Sequence, residues 1–136
     1  MRVVFDANIL VSALILPGGS GDRALNVILD GRATLLLSKP ILGETLRVLG
    51  KKFARETEEL ARLAVFFADL AEIVAPTRTL NVLADEPDNR ILECAQAGGA
   101  ALIVTGDRAM LALRRFAGTE IITLRDFLRR LARAER

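Results

Sequence analysis

The polarity pattern changes period several times along the chain, and each change marks an element. Residues 2–5 (RVVF) carry an apolar run closed by Asp6, as in a short strand covered on both faces. Residues 7–16 (ANILVSALIL) are apolar almost all round, the pattern of a helix packed on more than one side. The breakers Pro17-Gly18-Gly19-Ser20-Gly21 end it. A second helix is expected over 22–30, capped by Ser20 or Asp22 and ended by Gly31. A strand follows at 33–37 (ATLLL), and Ser38 then caps a helix with Pro40 in its first turn, running to about Lys52. Over 56–72, Leu60, Leu63, Ala64, Phe67, Leu70 and Ala71 recur along one helical face.

Ile73-Val74 reads as a brief strand stopped by Pro76. The segment Asp85 to Asp88 opens a helix to Ala97, ended by Gly98-Gly99. Residues 101–104 (ALIV) form a strand, and Asp107 opens the helix after it. A last short strand at 120–122 leads to Thr123-Leu-Arg-Asp126, the capping pattern of a final helix. Strands alternate with helices, which predicts an α/β fold. The expected architecture is a three-layer α/β/α sandwich around a mainly parallel sheet of about five strands. With 136 residues and neither repeat nor linker, one domain over 1–136 is expected.

Composition narrows the chemistry. Six Phe are the only aromatics, so the core rests on aliphatic residues. Cys94 is the sole cysteine, which excludes an intrachain disulfide and suits a reducing compartment. The acidic break at Asp6 comes too early for a signal peptide or a membrane span, so a cytoplasmic location with no membrane partner is expected. The net charge is only +2, but it is uneven. Residues 108–136 hold eight Arg against Glu120, Asp126 and Glu135, a balance of +5 that leaves −3 for the rest. Such asymmetry permits a nucleic-acid partner, although a solvated helix face accounts for a basic tail equally well.

The most informative residues are four acids, Asp6, Glu44, Asp88 and Asp107, in a chain with no histidine. In an open parallel sheet, ligands bind beyond the carboxyl ends of the strands. Asp6 follows the first strand, Asp107 follows the strand at 101–104, and Asp88 begins the helix feeding that strand. Glu44 borders the apolar stripe of its helix, from which its carboxylate can reach the same rim. Taken singly, each aspartate is an ordinary helix cap, and Glu44 is an ordinary partner for Arg47. Gathered together, they repel one another unless a cation offsets them. An oxygen-only ligand set suits a hard cation such as Mg²⁺ or Mn²⁺. Without histidine, Ser12, Ser20 and Cys94 lack a base for nucleophilic work. The Gly18–Gly21 loop lacks the lysine of a phosphate-binding loop. Asn8 is placed to orient Asp6 or to satisfy backbone groups.

Four segments in order carry a family likeness. They are Val3-Val4-Phe5-Asp6-Ala7-Asn8, Glu44 within Ile-Leu-Gly-Glu-Thr-Leu, Asp85-Glu-Pro-Asp88-Asn-Arg-Ile-Leu-Glu-Cys-Ala95, and Ile103-Val-Thr-Gly-Asp107. The sequence resembles the PIN-domain nucleases, especially the prokaryotic toxins of toxin–antitoxin pairs. The resemblance implies that Asp6, Glu44, Asp88 and Asp107 are catalytic metal ligands supported by Asn8 and Thr105. It also implies Mg²⁺- or Mn²⁺-dependent endoribonuclease activity and a cognate antitoxin. Together with the apolar content, it suggests a homodimer. Ala7 stands where the family often has Thr. Ala109 and Met110 follow where many relatives carry another acid, which bears on a second metal.

On this basis single-stranded RNA is expected to be cut by metal-activated water, with Arg108, Arg114 and Arg115 as candidate phosphate contacts. Two rivals stand beside it. A haloacid-dehalogenase-like phosphatase would use Asp6 as covalent nucleophile, but that family expects a second Asp where Asn8 sits. A non-catalytic PIN-like module would grip RNA or protein without needing four acids.

Overall fold

The computed structural model describes residues 1–134; Glu135 and Arg136, part of the basic tail, lie outside the described residues. The elements follow in order as β1 (Arg2–Phe5), α1 (Ala7–Ile15), α2 (Ser20–Leu29), β2 (Thr34–Leu37), α3 (Lys39–Lys52), α4 (Thr57–Leu70) and β3 (Glu72–Ile73). Then come α5 (Glu86–Gly98), β4 (Leu102–Val104), α6 (Arg108–Leu113), β5 (Arg115–Phe116), β6 (Thr119–Ile122) and α7 (Leu124–Ala134). The sheet runs β3-β2-β1-β4-β6-β5, parallel except for the β5–β6 pair. Among the described residues six strands replace the expected five, because Arg115–Phe116 turns back onto Thr119–Glu120 through Ala117 and Gly118, both at positive φ.

Burial along the central strands shows why the sheet is a middle layer. Successive strand residues point to opposite faces. Val3, Val4 and Phe5 are all buried, as are Leu35, Leu36 and Leu37, and Leu102, Ile103 and Val104. Both faces are therefore covered, as the unbroken apolar runs predict. Phe5 meets Phe127 of α7 edge to face, with ring centroids 5.5 Å apart. α1 buries Ile9, Leu10, Val11 and Ala13, and packs against both α2 and α3. Its approach to α2 is close at Gly21, where a Cβ would stand 2.9 Å from the Ala13 backbone nitrogen.

The caps fall largely where the sequence places them. Ser38 accepts from the Ile41 N–H, and Thr123 accepts from the Asp126 N–H. α2 differs: Gly19 is its N-cap and Asp22 accepts from the Gly18 N–H instead.

Chain order creates the feature that matters most. From β1 the chain moves outward through β2 to β3, then returns to lay β4 on the other side of β1. The point between β1 and β4 is a topological switch, where the crevice of an open parallel sheet forms.

Candidate active site

Asp6 and Asp107 flank that switch. Phe5 pairs with Val104 at the ends of β1 and β4, so Asp6 and Thr105 leave the sheet side by side. Asp6 caps α1, its Oδ1 accepting from the Ile9 N–H at 2.9 Å. Its Oδ2 accepts from the Thr105 hydroxyl at 2.5 Å. The same Thr105 oxygen accepts from the Asp107 N–H at 3.0 Å. Asp107 caps α6 by accepting from the Met110 N–H at 2.8 Å. Both aspartates are thus caps as well as cleft residues; one role fixes the carboxylate for the other.

Asp88 arrives from α5. Asp85 is the helix N-cap and Pro87 lies in the first turn, which sets Asp88 at the third helical position. A buried clamp holds this end of the helix. Asn89 Oδ1 accepts from the Val82 and Leu83 N–H groups, and its Nδ2 donates to the Leu83 carbonyl. Glu93 accepts from the Leu80 N–H. Asp88 is buried, and its Oδ2 has no hydrogen-bond partner among the described residues.

Glu44 stands on α3 with its carboxylate held by Arg47, whose Nη2 donates to Oε1 at 2.6 Å and Nε to Oε2 at 3.1 Å.

These acids line one cavity of about 290 Å³. Among the described residues its walls carry six carboxylates (Asp6, Glu44, Asp85, Glu86, Asp88, Asp107) against one cation, Arg90. Arg90 is already engaged by Glu86 at 3.3 Å and Glu93 at 2.9 Å. The crowding shows in the titration of the aspartates. Burial first, then the charges of Asp107, Asp85 and Asp6, push the Asp88 carboxyl up to about 6. Burial also raises Asp6, against hydrogen bonds from Thr105, Ile9 and Gly106 that lower it; Asp107 adds to the rise. Glu44 moves the other way, lowered by its hydrogen bonds with Arg47. Asp88 therefore feels the charges of Asp6 and Asp107, and Asp6 feels that of Asp107, whereas Glu44 shares the cavity but is neutralised locally. Among the described residues, no group of three acidic, histidine or cysteine side chains is set as a finished cation cage.

The remaining candidates divide. Asn8 is exposed and lines the cavity, but the hydrogen bonds to Asp6 come from Thr105, Ile9 and Gly106. Arg108 lines a second, adjoining cavity. Arg114 caps the end of α6, and Arg115 lies on β5; neither lines either cavity. Sequence reasoning passed over Asp85, Glu86 and Arg90 as cleft residues. The acid-rich run Asp85-Glu86-Pro87-Asp88 was the available signal for the first two.

A mainly parallel sheet with a carboxylate-lined cleft at its switch point defines an α/β domain that carries its chemistry on the strand ends. The PIN domain family model matches residues 2–109, and the chain belongs to the PIN-domain family. The uncharacterized protein MJ1680 of Methanocaldococcus jannaschii is 30% identical over 118 residues, which are 84% of this chain and 76% of that protein. Two solved structures share the fold. VapBC2 from Rickettsia felis, bound to a DNA fragment from its promoter, matches with a TM-score of 0.62 at 19% identity, covering 90% of this chain and 98% of that one. VapBC-1 from nontypeable Haemophilus influenzae matches with a TM-score of 0.62 at 12% identity, covering 91% and 98%. The family resemblance and the α/β fold class expected from the sequence both hold. No helix among the described residues is long and apolar enough to cross a membrane.

Proposed function

We propose that this chain is a divalent-metal-dependent endoribonuclease, acting as one PIN-like domain over 1–136 on single-stranded RNA. We further propose that it is the toxin of a toxin–antitoxin pair in the cytoplasm, held by a cognate antitoxin and able to form a homodimer. Family membership and the fold shared with VapBC2 and VapBC-1 support the toxin assignment.

One observation carries the catalytic part. Asp6, Asp88 and Asp107, from three separate elements, line a single cleft, and Asp88 leaves a buried oxygen unpartnered. Burying an unpartnered carboxylate oxygen is costly, and a bound cation removes that cost. The donors are all oxygen, which fits Mg²⁺ or Mn²⁺. Asp6, Asp88 and Asp107 would hold the ion, with Glu44 contributing from α3. When bound, such an ion supplies Lewis-acid activation of water and charge to stabilise a phosphorane-like transition state.

The chain's own residues do the rest. Thr105 and the Ile9 and Met110 N–H groups fix the two capping carboxylates, so their orientation is set before substrate arrives. The Asn89 clamp fixes the start of α5 and with it Asp88. Among the described residues, neither Ser12 nor Cys94 is poised as a nucleophile. The Ser12 hydroxyl donates to the Ile9 carbonyl, and burial pushes the Cys94 thiol up to about 11. Asp6 is also a poor covalent nucleophile, since it is buried and both of its oxygens accept hydrogen bonds. This disfavours the phosphatase rival.

The test is cleavage of single-stranded RNA with Mg²⁺, Mn²⁺ or EDTA by wild type, Asp6→Asn and Asp107→Asn. Asn also caps helices, so these variants remove charge while keeping the fold. Cleavage that needs the metal and vanishes in both variants is expected. Cleavage unchanged in either variant would overturn the assignment. A phosphoaspartate trapped with beryllium fluoride would favour the phosphatase. RNA binding in EDTA without any cleavage under Mn²⁺ would favour a binding module.

A further inference from the structure

We propose that the cavity between α6 and α7 is a phosphate-binding groove for a single-stranded polynucleotide, with Arg108 and Arg125 as its contacts. The inference deepens the nuclease proposed above by giving the strand a place beside the acidic cleft.

The groove has a volume of about 740 Å³ and shares Asp6, Asn8 and Asp107 with the acidic cleft. The two cavities therefore share one acidic wall, and two arginines face it from the groove side. On the groove side, the only charged residues among the described ones, apart from Asp6 and Asp107, are Arg108 and Arg125. Both are exposed, and neither makes an ion pair or side-chain hydrogen bond among the described residues. Arg2, Arg47, Arg55, Arg90 and Arg130, by contrast, are all taken by carboxylates.

Arg125 also gains nothing locally. It sits in the first turn of α7, where the helix dipole disfavours a cation. A polyanion beside it reverses that sign. Among the described residues no aromatic side chain lines the groove, so they offer no platform on which bases would stack. Arginine forks match phosphate oxygens, which makes the sugar–phosphate backbone the ligand and the contact insensitive to base sequence. An acidic cleft repels a polyanion, and the two unpaired arginines at its side draw the strand in from there. The strand then crosses the acids in one polarity, with a phosphate beside the reacting one held by the two arginines.

The test is binding without cleavage. Fluorescein-labelled single-stranded RNAs of several sequences are titrated by fluorescence anisotropy in EDTA, over a range of salt. The proteins are the full chain, Arg108→Gln, Arg125→Gln and, as a control on exposed α4, Arg62→Gln. Each groove variant is expected to bind several-fold more weakly on every sequence. The slope of log affinity against log salt should fall by about 0.7 per arginine removed, while Arg62→Gln matches the wild type. Arg125→Gln indistinguishable from Arg62→Gln in affinity and slope would overturn the proposal, as would a wild type that does not bind RNA at low salt. Because no cleavage is read, loss of the nuclease activity and loss of the groove are separate outcomes.

Discussion

Thr105 donates its hydroxyl to Asp6 across the seam between β1 and β4, and the same oxygen receives the Asp107 N–H. One buried threonine thus sets the spacing of two carboxylates that are 101 residues apart in sequence, 6 against 107. Thr105→Val keeps the shape and removes the hydroxyl, leaving a buried carboxylate short of a donor. A loss of about 1–3 kcal/mol in urea denaturation is expected. Thr105→Ser should recover most of it, and RNA cleavage should follow the same order.

The metal-free protein should be more stable in mild acid than at neutral pH. Asp88 titrates near 6 in the fold against 3.8 when unperturbed. Its protonated form is favoured by folding, so this contribution is complete below the unfolded value and is lost as pH rises through about 6. Asp6 acts in the same direction. Glu44, Glu72 and Glu120 are lowered by Arg47, Arg2 and Arg130, so their contribution is lost only in stronger acid. Denaturation in EDTA should give a higher free energy at about pH 5 than at about pH 7.5. Asp88→Asn should flatten that slope and stabilise the metal-free protein at neutral pH.

Glu44 and Arg47 are both partly exposed, so their ion pair contributes little to folding. Arg47→Ala is expected to leave the melting temperature nearly unchanged. Glu44→Gln should leave the fold equally intact but weaken cleavage, because the lost charge belongs to the cleft. A pair of thermal melts and a pair of initial rates separate the two roles.

The α1–α2 contact predicts a purely structural lesion. Gly21→Ala places a methyl 2.9 Å from the Ala13 nitrogen and 3.2 Å from the Ile9 carbonyl oxygen, both backbone atoms of α1. Overpacking of this kind costs about 1–3 kcal/mol. A lower denaturation midpoint is expected, whereas Gly43→Ala, with open space around it, should not lower it for want of room.

Much of this was legible because the strands at the switch point are continuous apolar runs and acids stand at their ends. Val3-Val4-Phe5 followed by Asp6, and Ile103-Val104 followed by Asp107, locate two walls of the cleft without coordinates. Asp88 was also legible, though its depth was not, since burial depends on Asn89 tying down residues 82 and 83. β5 escaped because its turn uses Ala117 at φ 48°, a conformation that alanine does not advertise. The partnership of Glu44 with Arg47 was foreseeable from their spacing, but its place in the cleft depends on how α3 lies against α5. Arg125 was hidden within a capping pattern that explained its neighbours.

A titration of Mn²⁺ followed by electron paramagnetic resonance tests most directly whether the acids act together. The free-ion signal should be quenched by wild type and remain largely free with Asp6→Asn, Asp88→Asn or Asp107→Asn. Equal quenching by wild type and all three variants would contradict a shared cation site at this cleft.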